Sequence, residues 1–588
     1  MNSLSRISFQ RRGFWSALLY TALTITLLSS ATLAAWQQAA RSAAVPTKGS
    51  ASGAAPALTA PERKAVAQVK VETIREVTTT LSSPEFEGRG TGQPGADKAA
   101  TYLADRFAKL GLKPAGENGT YLQPIKFRSA QVMPETSVKV GDAVLKHADD
   151  YVILPPYASD QVDVTAGVVF IGFGVVSTEL KRDDLAGLEL KDKVVILLGG
   201  QPDGVDAAAW KRATAPQARA MTIFGRGAAA MIIANAGTTA QPFSTVANYL
   251  SRRRVSLMSA PPPTFKIPPV LLVSDAAMEK VMSGSEMTYA ATFAKAKAGE
   301  NVSRDLGKTV TLALRFKREE VTSSNVVGVF DGSDPKLKEE AVVFSAHYDA
   351  YGIDKGQIYP GAADNALGVG TITAIAEAFA KTFPKPASRP RRSIIFLAVT
   401  GEEYGLFGSE HWVQHPTWPL EKIAADINFD GIGTEVYGPV KRVVGFGAEH
   451  SDLGTLFEEA AAATGTIVTP DPMPEENAFV RSDHYAFVKK GVPALMLLGG
   501  PAGDVSLWIP RARKWLDTDY HSPSDTVKPD WNWTGPQTLG QLGTIIGLRV
   551  ANADAMPAWL PTSPFNKPRN PAKAVPGAAS IRRRAASL

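Results

Sequence analysis

The sequence of 588 residues contains no cysteine. This absence excludes disulfide bonds, thiolate zinc ligands and a cysteine nucleophile, and it leaves histidine, aspartate and glutamate as the available metal ligands. The Gly-x-Ser-x-Gly turn that presents a serine nucleophile in many hydrolases is also missing. The sequence therefore disfavours hydrolytic chemistry that proceeds through a covalent enzyme intermediate.

Acidic residues are missing from both ends of the chain. Five lysines and arginines precede Glu62, and six follow Asp554, with no acid among them. Because these terminal basic residues outnumber the formal net charge of +6, the body of the chain is mildly acidic. An acidic body makes a poor surface for nucleic acid, so no nucleic-acid partner is expected.

The N-terminus has the pattern of an export signal. Arg6, Arg11 and Arg12 precede an uncharged apolar stretch, residues 14–35, which ends in small residues. The stretch could also remain as an anchor, since about 20 apolar residues span a bilayer. In either case we expect an exported protein, periplasmic or extracellular, whose only membrane contact is this segment.

Shifts in composition divide the rest of the chain. An Ala/Pro/Ser/Gly-rich stretch reads as a disordered linker, and the Pro/Ala/Arg-rich C-terminus lacks any periodicity. Short apolar runs such as Val194–Leu198 indicate buried strands in a module inserted into a larger domain. The predicted organisation is a signal peptide or anchor (1–36), a linker (37–60), a first domain part (61–145), a β-rich insert (146–306), the main domain part (307–552) and a disordered basic tail (553–588).

Strands and helices alternate after residue 310. The pattern predicts strands at 342–345, 394–399 and 423–429, with a helix at 365–380 between the first two. Strands separated by helices are typical of an α/β sheet covered on both faces. The predicted fold class is therefore α/β, a three-layer α/β/α domain interrupted by the smaller insert.

Five possible metal ligands follow one another in this main domain part: His347, Asp364, Glu403, Asp430 and His521. Most of them follow predicted strands, where functional groups of α/β sheets gather. Zinc accepts such nitrogen and oxygen ligands, and two ions about 3.5–4 Å apart can activate one water. The pattern predicts two ions, each with one imidazole and one carboxylate, and a third carboxylate between them. Asp364 is the best bridging candidate because small residues surround it.

The adjacent Glu402 and Glu403 have side chains that diverge on a loop, so both are unsuited to bind one ion. One is expected to ligate, and the other to accept the proton of the attacking water and pass it to the leaving amine. Asp349, two residues after His347, is expected to orient that imidazole.

Other residues near these motifs could contact a substrate. Asp483 or Glu435 could hold a substrate ammonium group. His484 could face the metals or be structural, and Tyr520 could hydrogen-bond a tetrahedral intermediate or pack beneath His521.

The motifs together resemble one family. AHYDAYG, GAADNALGVG, TGEEYGLFGS, NFDGIG, SDHYAF and YHSPSDT resemble the co-catalytic zinc aminopeptidases related to glutamate carboxypeptidase and the transferrin receptor. The upstream segment LSSPEFEGRGTGQPGADKAATYLADRFAKLGL also resembles the N-terminal helix region of that family. The insert, with VVFIGFGV and GRGAAAMIIANAG, resembles a protease-associated domain.

This resemblance implies a mixed central sheet, two Zn²⁺ ions and specific roles. His347 and Asp430 would hold one zinc, and Glu403 and His521 the other. Asp364 would bridge the ions, Glu402 would be the general base, and the peptide bond after Asp364 would be cis.

The resemblance favours an exopeptidase acting on peptide substrates, with removal of N-terminal amino acids preferred. A carboxypeptidase or dipeptidase is the alternative, although an acidic-substrate carboxypeptidase needs clustered arginines and only Arg481 lies near a motif. A non-catalytic peptide-binding module is a second alternative. Side-chain preference, oligomeric state and the native metal stay open, since manganese or cobalt also suit such ligands.

Overall fold

The computed structural model describes residues 57–155, 159–234, 242–258, 268–431, 439–500 and 505–566. These residues form two compact units. The larger contains 57–128, 255–258 and the described residues from 320 onward, and the smaller contains the other described residues between 129 and 319. The predicted signal or anchor at 1–36, and most of the linker at 37–60, lie outside the described ranges.

The helices have the following bounds: α1 Ala60–Val66, α2 Val71–Leu81, α3 Pro94–Lys109, α4 Ala207–Ala213, α5 Pro216–Gly225, α6 Phe243–Leu250, α7 Asp275–Met282, α8 Tyr289–Lys297, α9 Leu367–Thr382, α10 Phe407–Gln414, α11 Leu453–Thr464, α12 His484–Lys489, α13 Val505–Thr518 and α14 Thr534–Asn552. None of these helices, within the described ranges, is long and apolar enough to cross a bilayer.

The strands have the following bounds: β1 Lys113–Pro114, β2 Leu122–Val132, β3 Ser137–Val140, β4 Ala143–Leu145, β5 Tyr151–Leu154, β6 Gln161–Phe170, β7 Val176–Ser177, β8 Arg182–Asp183, β9 Val194–Leu198, β10 Ala230–Ala234, β11 Arg254–Leu257, β12 Val270–Val273, β13 Arg304–Phe330, β14 Ala341–His347, β15 Gly352–Asp354, β16 Gln357–Tyr359, β17 Ser393–Val399, β18 Ile423–Asn428, β19 Arg442–Phe446, β20 Ile467–Val468 and β21 Ala494–Gly500.

A mixed sheet forms the centre of the larger unit. Its strand order is β1, β13, β17, β14, β18, β21, β19, β20. The four central strands β17, β14, β18 and β21 run parallel to one another, whereas β13 is antiparallel to β17 and β19 is antiparallel to β21. The mixed α/β class predicted from the sequence is confirmed.

Both faces of this sheet are covered. Val342 and Phe344 of β14 join the hydrophobic core that contains residues of α2, α9 and α14. Val343, which points the other way, joins a second core with Trp412 of α10 and Phe487 of α12. Since side chains alternate along a strand, burial of both sets requires helices on both faces, and the near-continuous apolar run of β14 is the sequence signature of this arrangement.

The parallel strands end together at one edge of the sheet. His347 is the last residue of β14 and lies level with Val399, the last residue of β17. A turn at Gly401 then leads to Glu402, and Asp430 follows two residues after the end of β18. The chain thus delivers several polar side chains to the same edge.

The smaller unit has a sheet and a hydrophobic core of its own. Its strand order is β4, β3, β13, β6, β9, β10, β12, β5, with helices α4 to α8 in the same unit. Its range is wider than the predicted 146–306 and includes helices as well as strands. Its identity as a protease-associated domain stays a prediction.

The tail predicted as disordered, 553–588, needs a correction. Residues 553–566 follow a defined path, with the indole Nε1 of Trp559 donating to the Gly491 carbonyl at 3.1 Å. Trp559 and Phe565 pack against the second core of the larger unit. These two aromatic side chains supply the apolar area that the rest of the tail composition lacks. The remainder of the tail lies outside the described residues.

Candidate metal centre

Two groups of potential ligands meet at the strand edge of the larger unit. Within each group, one nitrogen or oxygen from every member lies within 4.8 Å of the others. Each group has one histidine and two carboxylates: His347, Glu402 and Asp430 in one, and Asp364, Glu403 and His521 in the other.

Each histidine directs its Nε2 atom at a carboxylate. His347 Nε2 lies 3.1 Å from Asp430 Oδ1, and His521 Nε2 lies 3.0 Å from Glu403 Oε2. Glu402 Oε2 is farther from His347 Nε2, at 3.8 Å. The shorter contacts define two pairs of one imidazole and one carboxylate, with Glu402 beside the first pair.

Asp364 connects the two pairs. Its Oδ1 atom lies 3.2 Å from His347 Nε2, and its Oδ2 atom lies 3.2 Å from His521 Nε2. One carboxylate therefore faces both histidines with different oxygens, which is the geometry that a bridging ligand needs.

The backbone around Asp364 is tightly constrained. Gly361 has a left-handed φ of 54°, and a Cβ atom there would lie 2.5 Å from the Asp364 carbonyl oxygen. The Asp364–Asn365 peptide bond is cis, as the family resemblance implied. The Asn365 side chain donates to the Phe429 carbonyl at 2.8 Å, which links this loop to the loop of Asp430.

The turn between β17 and α10 separates the two glutamates. Gly401 and Gly405 have φ angles of 74° and 123°, values that side chains disfavour. The resulting tight turn sends Glu402 toward His347 and Glu403 toward His521. The two adjacent side chains therefore diverge, as predicted from the sequence.

Asp349 orients the site differently from the sequence prediction. His347 Nδ1 donates to the backbone carbonyl of Asp349 at 3.1 Å, whereas the carboxylate oxygen nearest to Nδ1 lies 3.8 Å away. The carboxylate instead accepts from the Glu402 backbone N–H at 3.2 Å and from the Thr91 hydroxyl at 3.0 Å. The main chain thus fixes the imidazole with Nε2 directed toward the acidic cluster, and the Asp349 carboxylate fixes the Glu402 turn.

Aromatic side chains hold His521. The Tyr520 ring stacks on its imidazole with centroids 3.6 Å apart, and the Tyr351 hydroxyl lies 3.3 Å from its Nδ1 atom. His521 itself has a φ of 55°, which is rare for a side chain of this size. This strained conformation is maintained by the packing around it.

The four carboxylates of the site create a negative charge that bound cations would balance. Asp364, Glu402, Glu403 and Asp430 each have an oxygen within 4.0 Å of a histidine nitrogen. With both imidazoles neutral, this largely buried cluster would concentrate four negative charges, which is costly. Two divalent ions would balance them, and nitrogen and oxygen ligands suit zinc. The residues therefore fit a two-ion centre.

The raised pKa values of the two histidines also show that the acidic cluster favours positive charge. Burial lowers the pKa of His521, but the charges of Glu403 and Asp364 outweigh it and raise that pKa to about 9. Burial likewise opposes the charged form of His347, yet Asp430 and Glu402 raise its pKa well above the usual value. Without metal, the carboxylates draw protons onto both imidazoles.

The predicted substrate contacts are only partly available. Asp483 and His484 are completely buried, and Asp483 Oδ1 accepts from the Ser409 hydroxyl at 2.5 Å, so neither is placed to touch a substrate. Tyr520 is partly exposed, and its hydroxyl lies 3.4 Å from Arg481 Nη2. Glu435 lies outside the described residues.

Sequence reasoning missed two residues that contact the ligand loops. Arg89 binds the backbone near His347 and Asp364, and Asp525 binds the backbone N–H of Asp364. Both occur in motifs that the family resemblance rests on, and the presence of a charged residue inside such a motif was the available signal.

Part of the chain is similar to a known protein family. Residues 325–543 match the model of peptidase family M28. The chain is 29% identical over 233 residues to a probable leucine aminopeptidase 2 of Aspergillus oryzae, covering 37% of this chain and 43% of the relative. It is 32% identical over 257 residues to a probable glutamate carboxypeptidase of Arthroderma benhamiae, covering 40% of this chain and 31% of the relative. The chain thus spans less than half the length of these curated relatives.

Among solved structures, an aminopeptidase from Aneurinibacillus sp. strain AM-1 superposes with a TM-score of 0.54. The two chains are 18% identical, and the superposition covers 87% of this chain and 98% of the other. At this identity the match shows a shared fold. The family resemblance predicted from the motifs is confirmed.

Proposed function

We propose, from the match of residues 325–543 to the model of peptidase family M28, that the protein is an exported, zinc-dependent exopeptidase that removes N-terminal amino acids from peptides. The observation that carries the proposal is the position of Asp364, whose two oxygens each lie 3.2 Å from a different histidine. A carboxylate shared in this way serves a centre of two ions.

The ligand assignment follows the short contacts. His347 and Asp430 would hold one zinc ion, Glu403 and His521 the other, and Asp364 both. Bound zinc supplies Lewis acidity that polarises the scissile carbonyl and lowers the pKa of a water. The protein holds the ligands rigidly through β14, β17 and β18, so that little rearrangement is needed on binding.

Glu402 is the proposed general base. It is the carboxylate of the cluster that makes no contact shorter than 3.8 Å to a histidine, and its side chain is 11% exposed. An oxygen that is not engaged as a ligand can accept a proton from the attacking water and return it to the leaving amine nitrogen. Asp349 holds the Glu402 backbone and thereby aims this side chain.

Removal of N-terminal residues is supported by the similarity to a leucine aminopeptidase. The similarity to a probable glutamate carboxypeptidase makes a carboxypeptidase the second candidate. Among the described residues, Arg481, whose guanidinium lies 3.4 Å from the Tyr520 hydroxyl, is a cation that could meet a substrate carboxylate. A single arginine is less than the cluster that an acidic substrate needs, so we favour the aminopeptidase.

Export is proposed from the N-terminal sequence, in which arginines precede an uncharged apolar stretch with a small-residue exit. Peptides are the proposed partners, and the mildly acidic body gives no reason to expect nucleic acid. The smaller unit is proposed to be a protease-associated domain.

Digestion of one peptide in two forms, with a free and with an acetylated N-terminus, tests the activity. Mass spectrometry should show stepwise loss of N-terminal residues from the free form only, and a chelator should abolish it. Loss of residues from the C-terminus of both forms would favour the carboxypeptidase. No cleavage of either form with added zinc would contradict the enzymatic proposal and favour a peptide-binding module.

A further inference from the structure

Arg89 lies completely buried in the segment before α3. Its guanidinium donates to four backbone carbonyls. Nε donates to Tyr348 at 2.6 Å, Nη1 to Leu81 and Pro360 at 2.6 Å each, and Nη2 to Gly361 at 2.7 Å. A rigid planar donor of this kind fixes the distances between the carbonyls that it binds.

Two of the segments that Arg89 joins carry proposed metal ligands. Tyr348 directly follows His347, and Gly361 lies three residues before Asp364. One side chain therefore spans from the end of β14 to the loop of the bridging carboxylate. Gly361 leaves room for it, since a Cβ atom there would lie 3.0 Å from Arg89 Nη2.

The turn that presents Arg89 is strained. Glu87, Gly88 and Arg89 have consecutive left-handed φ angles of 51°, 66° and 50°. Such angles are rare for residues other than glycine, and they cluster where function requires a particular geometry. A Cβ atom at Gly88 would lie 2.4 Å from the Tyr359 carbonyl oxygen, so this turn has no room to relax.

Asp525 holds the same loop through its backbone amides. Its Oδ1 atom accepts from Ala363 N–H at 2.9 Å and its Oδ2 atom from Asp364 N–H at 3.0 Å. Its own carbonyl accepts from Ala362 N–H at 3.1 Å. Because Asp525 follows His521 by four residues, it joins the Asp364 loop to the loop of the second histidine.

The charge of Arg89 is balanced by carboxylates in and around the proposed metal centre. Burial lowers the pKa of Arg89 to about 10, while the carboxylates of Asp525, Asp349 and Asp364 oppose that shift. Arg89 therefore keeps its positive charge at neutral pH, close to the acidic ligands.

We propose that Arg89 and Asp525 are positioning residues that hold the Asp364 loop to the His347 loop and to the His521 loop, respectively. Together they set the position of Asp364 between the two histidines, and so the spacing of the ions. This inference rests on the proposed two-ion centre.

Arg89→Lys and Asp525→Asn test it, because each keeps the size of the side chain but loses the paired hydrogen bonds. Arg392→Lys is the matched control. Arg392 is also a buried arginine of the larger unit, and it donates to the Val550 carbonyl at 2.9 Å and to Glu340 Oε2 at 2.8 Å.

The measurement is the pair of zinc dissociation constants, obtained by competition with a chromophoric chelator on folded protein checked by circular dichroism. Loss of partners around metal ligands typically weakens binding about 10- to 100-fold, and we expect this for Arg89→Lys and for Asp525→Asn. Arg392→Lys should lower the melting temperature and leave both constants unchanged. Asp525→Asn decides the question if Arg89→Lys does not fold.

Wild-type zinc constants in both Arg89→Lys and Asp525→Asn would overturn this inference and leave the proposed function intact. Equal weakening in Arg392→Lys would also overturn it, because the effect would then follow from any lost buried arginine contact. A wild-type protein that binds no zinc would instead overturn the proposed function together with this inference.

Discussion

The two oxygens of Asp364 face different histidines. This arrangement depends on a few individual residues around Asp364. Its neighbour Gly361 leaves space, Asn365 ties the loop to Phe429, and the backbone carbonyl of Asp349 orients His347. At this scale the chemistry depends on side-chain positions held to within about 0.5 Å, which side-chain identity alone does not determine.

The role of Glu402 can be tested by Glu402→Gln. The amide keeps the shape of the side chain but cannot accept the proton, so we expect kcat to fall by about 10²- to 10⁴-fold with unchanged zinc content. Peptide hydrolysis assays and elemental analysis measure the two quantities.

The control is Glu410→Gln, a change eight residues after Glu402 that alters the ion pair of Glu410 with Lys489. Surface pairs contribute little, and kcat should stay within twofold of the wild type. Retention of wild-type kcat by Glu402→Gln would assign the base to another residue.

Gly361→Ala places a methyl group where the loop has no space. A Cβ atom would lie 2.6 Å from Ala350 Cβ as well as close to the Asp364 carbonyl. Besides the cost of about 1–2 kcal/mol for an alanine in the left-handed region, we expect a further loss of about 1–3 kcal/mol in unfolding free energy from crowding. Zinc affinity should fall as well.

Gly356→Ala separates these two costs. Gly356 has a φ of 77°, but a Cβ atom there would meet nothing within 4 Å. Chemical denaturation should therefore show only the left-handed cost, with zinc affinity unchanged. An equal loss in both variants would contradict the crowding argument.

At this scale, the sequence predicted which residues cluster around the proposed metal ions, but not which other polar residues of the motifs face a substrate. The residue types and order from His347 to His521 predicted the groups that the structure brings together. Asp483 was predicted as a possible partner of a substrate ammonium group, yet its carboxylate is buried and accepts from the Ser409 hydroxyl. Whether a carboxylate faces a cleft or the interior depends on tertiary packing that a local pattern does not encode.

At the level of elements, strands with continuous apolar runs were predicted well. The expected strands at 342–345 and 394–399 correspond to Ala341–His347 and Ser393–Val399. The helix Val505–Thr518 was not predicted, and it contains Pro510, a residue that argues against a helix when only sequence is read.

The segment 553–566 shows how a few aromatic residues anchor a stretch that looks disordered. Trp559→Ala removes the hydrogen bond to Gly491 and the packing with Phe565. We expect a loss of about 2 kcal/mol in unfolding free energy, measured by urea denaturation.

Leu560→Ala is the control beside it, because that side chain is 37% exposed and its backbone N–H still binds the His450 carbonyl. Its effect should stay within about 0.5 kcal/mol. Equal stability of Trp559→Ala and the wild type would show that the segment is not anchored by this residue.

For the whole molecule, the two compact units have separate hydrophobic cores. The core of the smaller unit includes Ile196 of β9, whereas the metal ligands all belong to the larger unit. Ile196→Ala should reduce stability by about 2–5 kcal/mol, seen by calorimetry in the unfolding of that unit. The zinc dissociation constants should remain within threefold of the wild type, and a larger change would show that the centre depends on the smaller unit.

The overall class was predictable because alternating strands and helices permit few architectures. The boundaries between the two units were harder to predict from the sequence. The strand Arg304–Phe330 contributes to both sheets, pairing through Val310 with β3 and through Val326 with β17. No break in composition marks that division, so pattern reading placed the boundary near residue 306.

The proposed catalytic centre requires Asp364 to lie between two metal ions. Anomalous diffraction from zinc-soaked crystals, recorded on both sides of the zinc absorption edge, tests it most directly. We predict two peaks, one beside His347 and Asp430 and one beside Glu403 and His521, with Asp364 between them. A single peak, or peaks away from Asp364, would show that Asp364 does not bridge two ions.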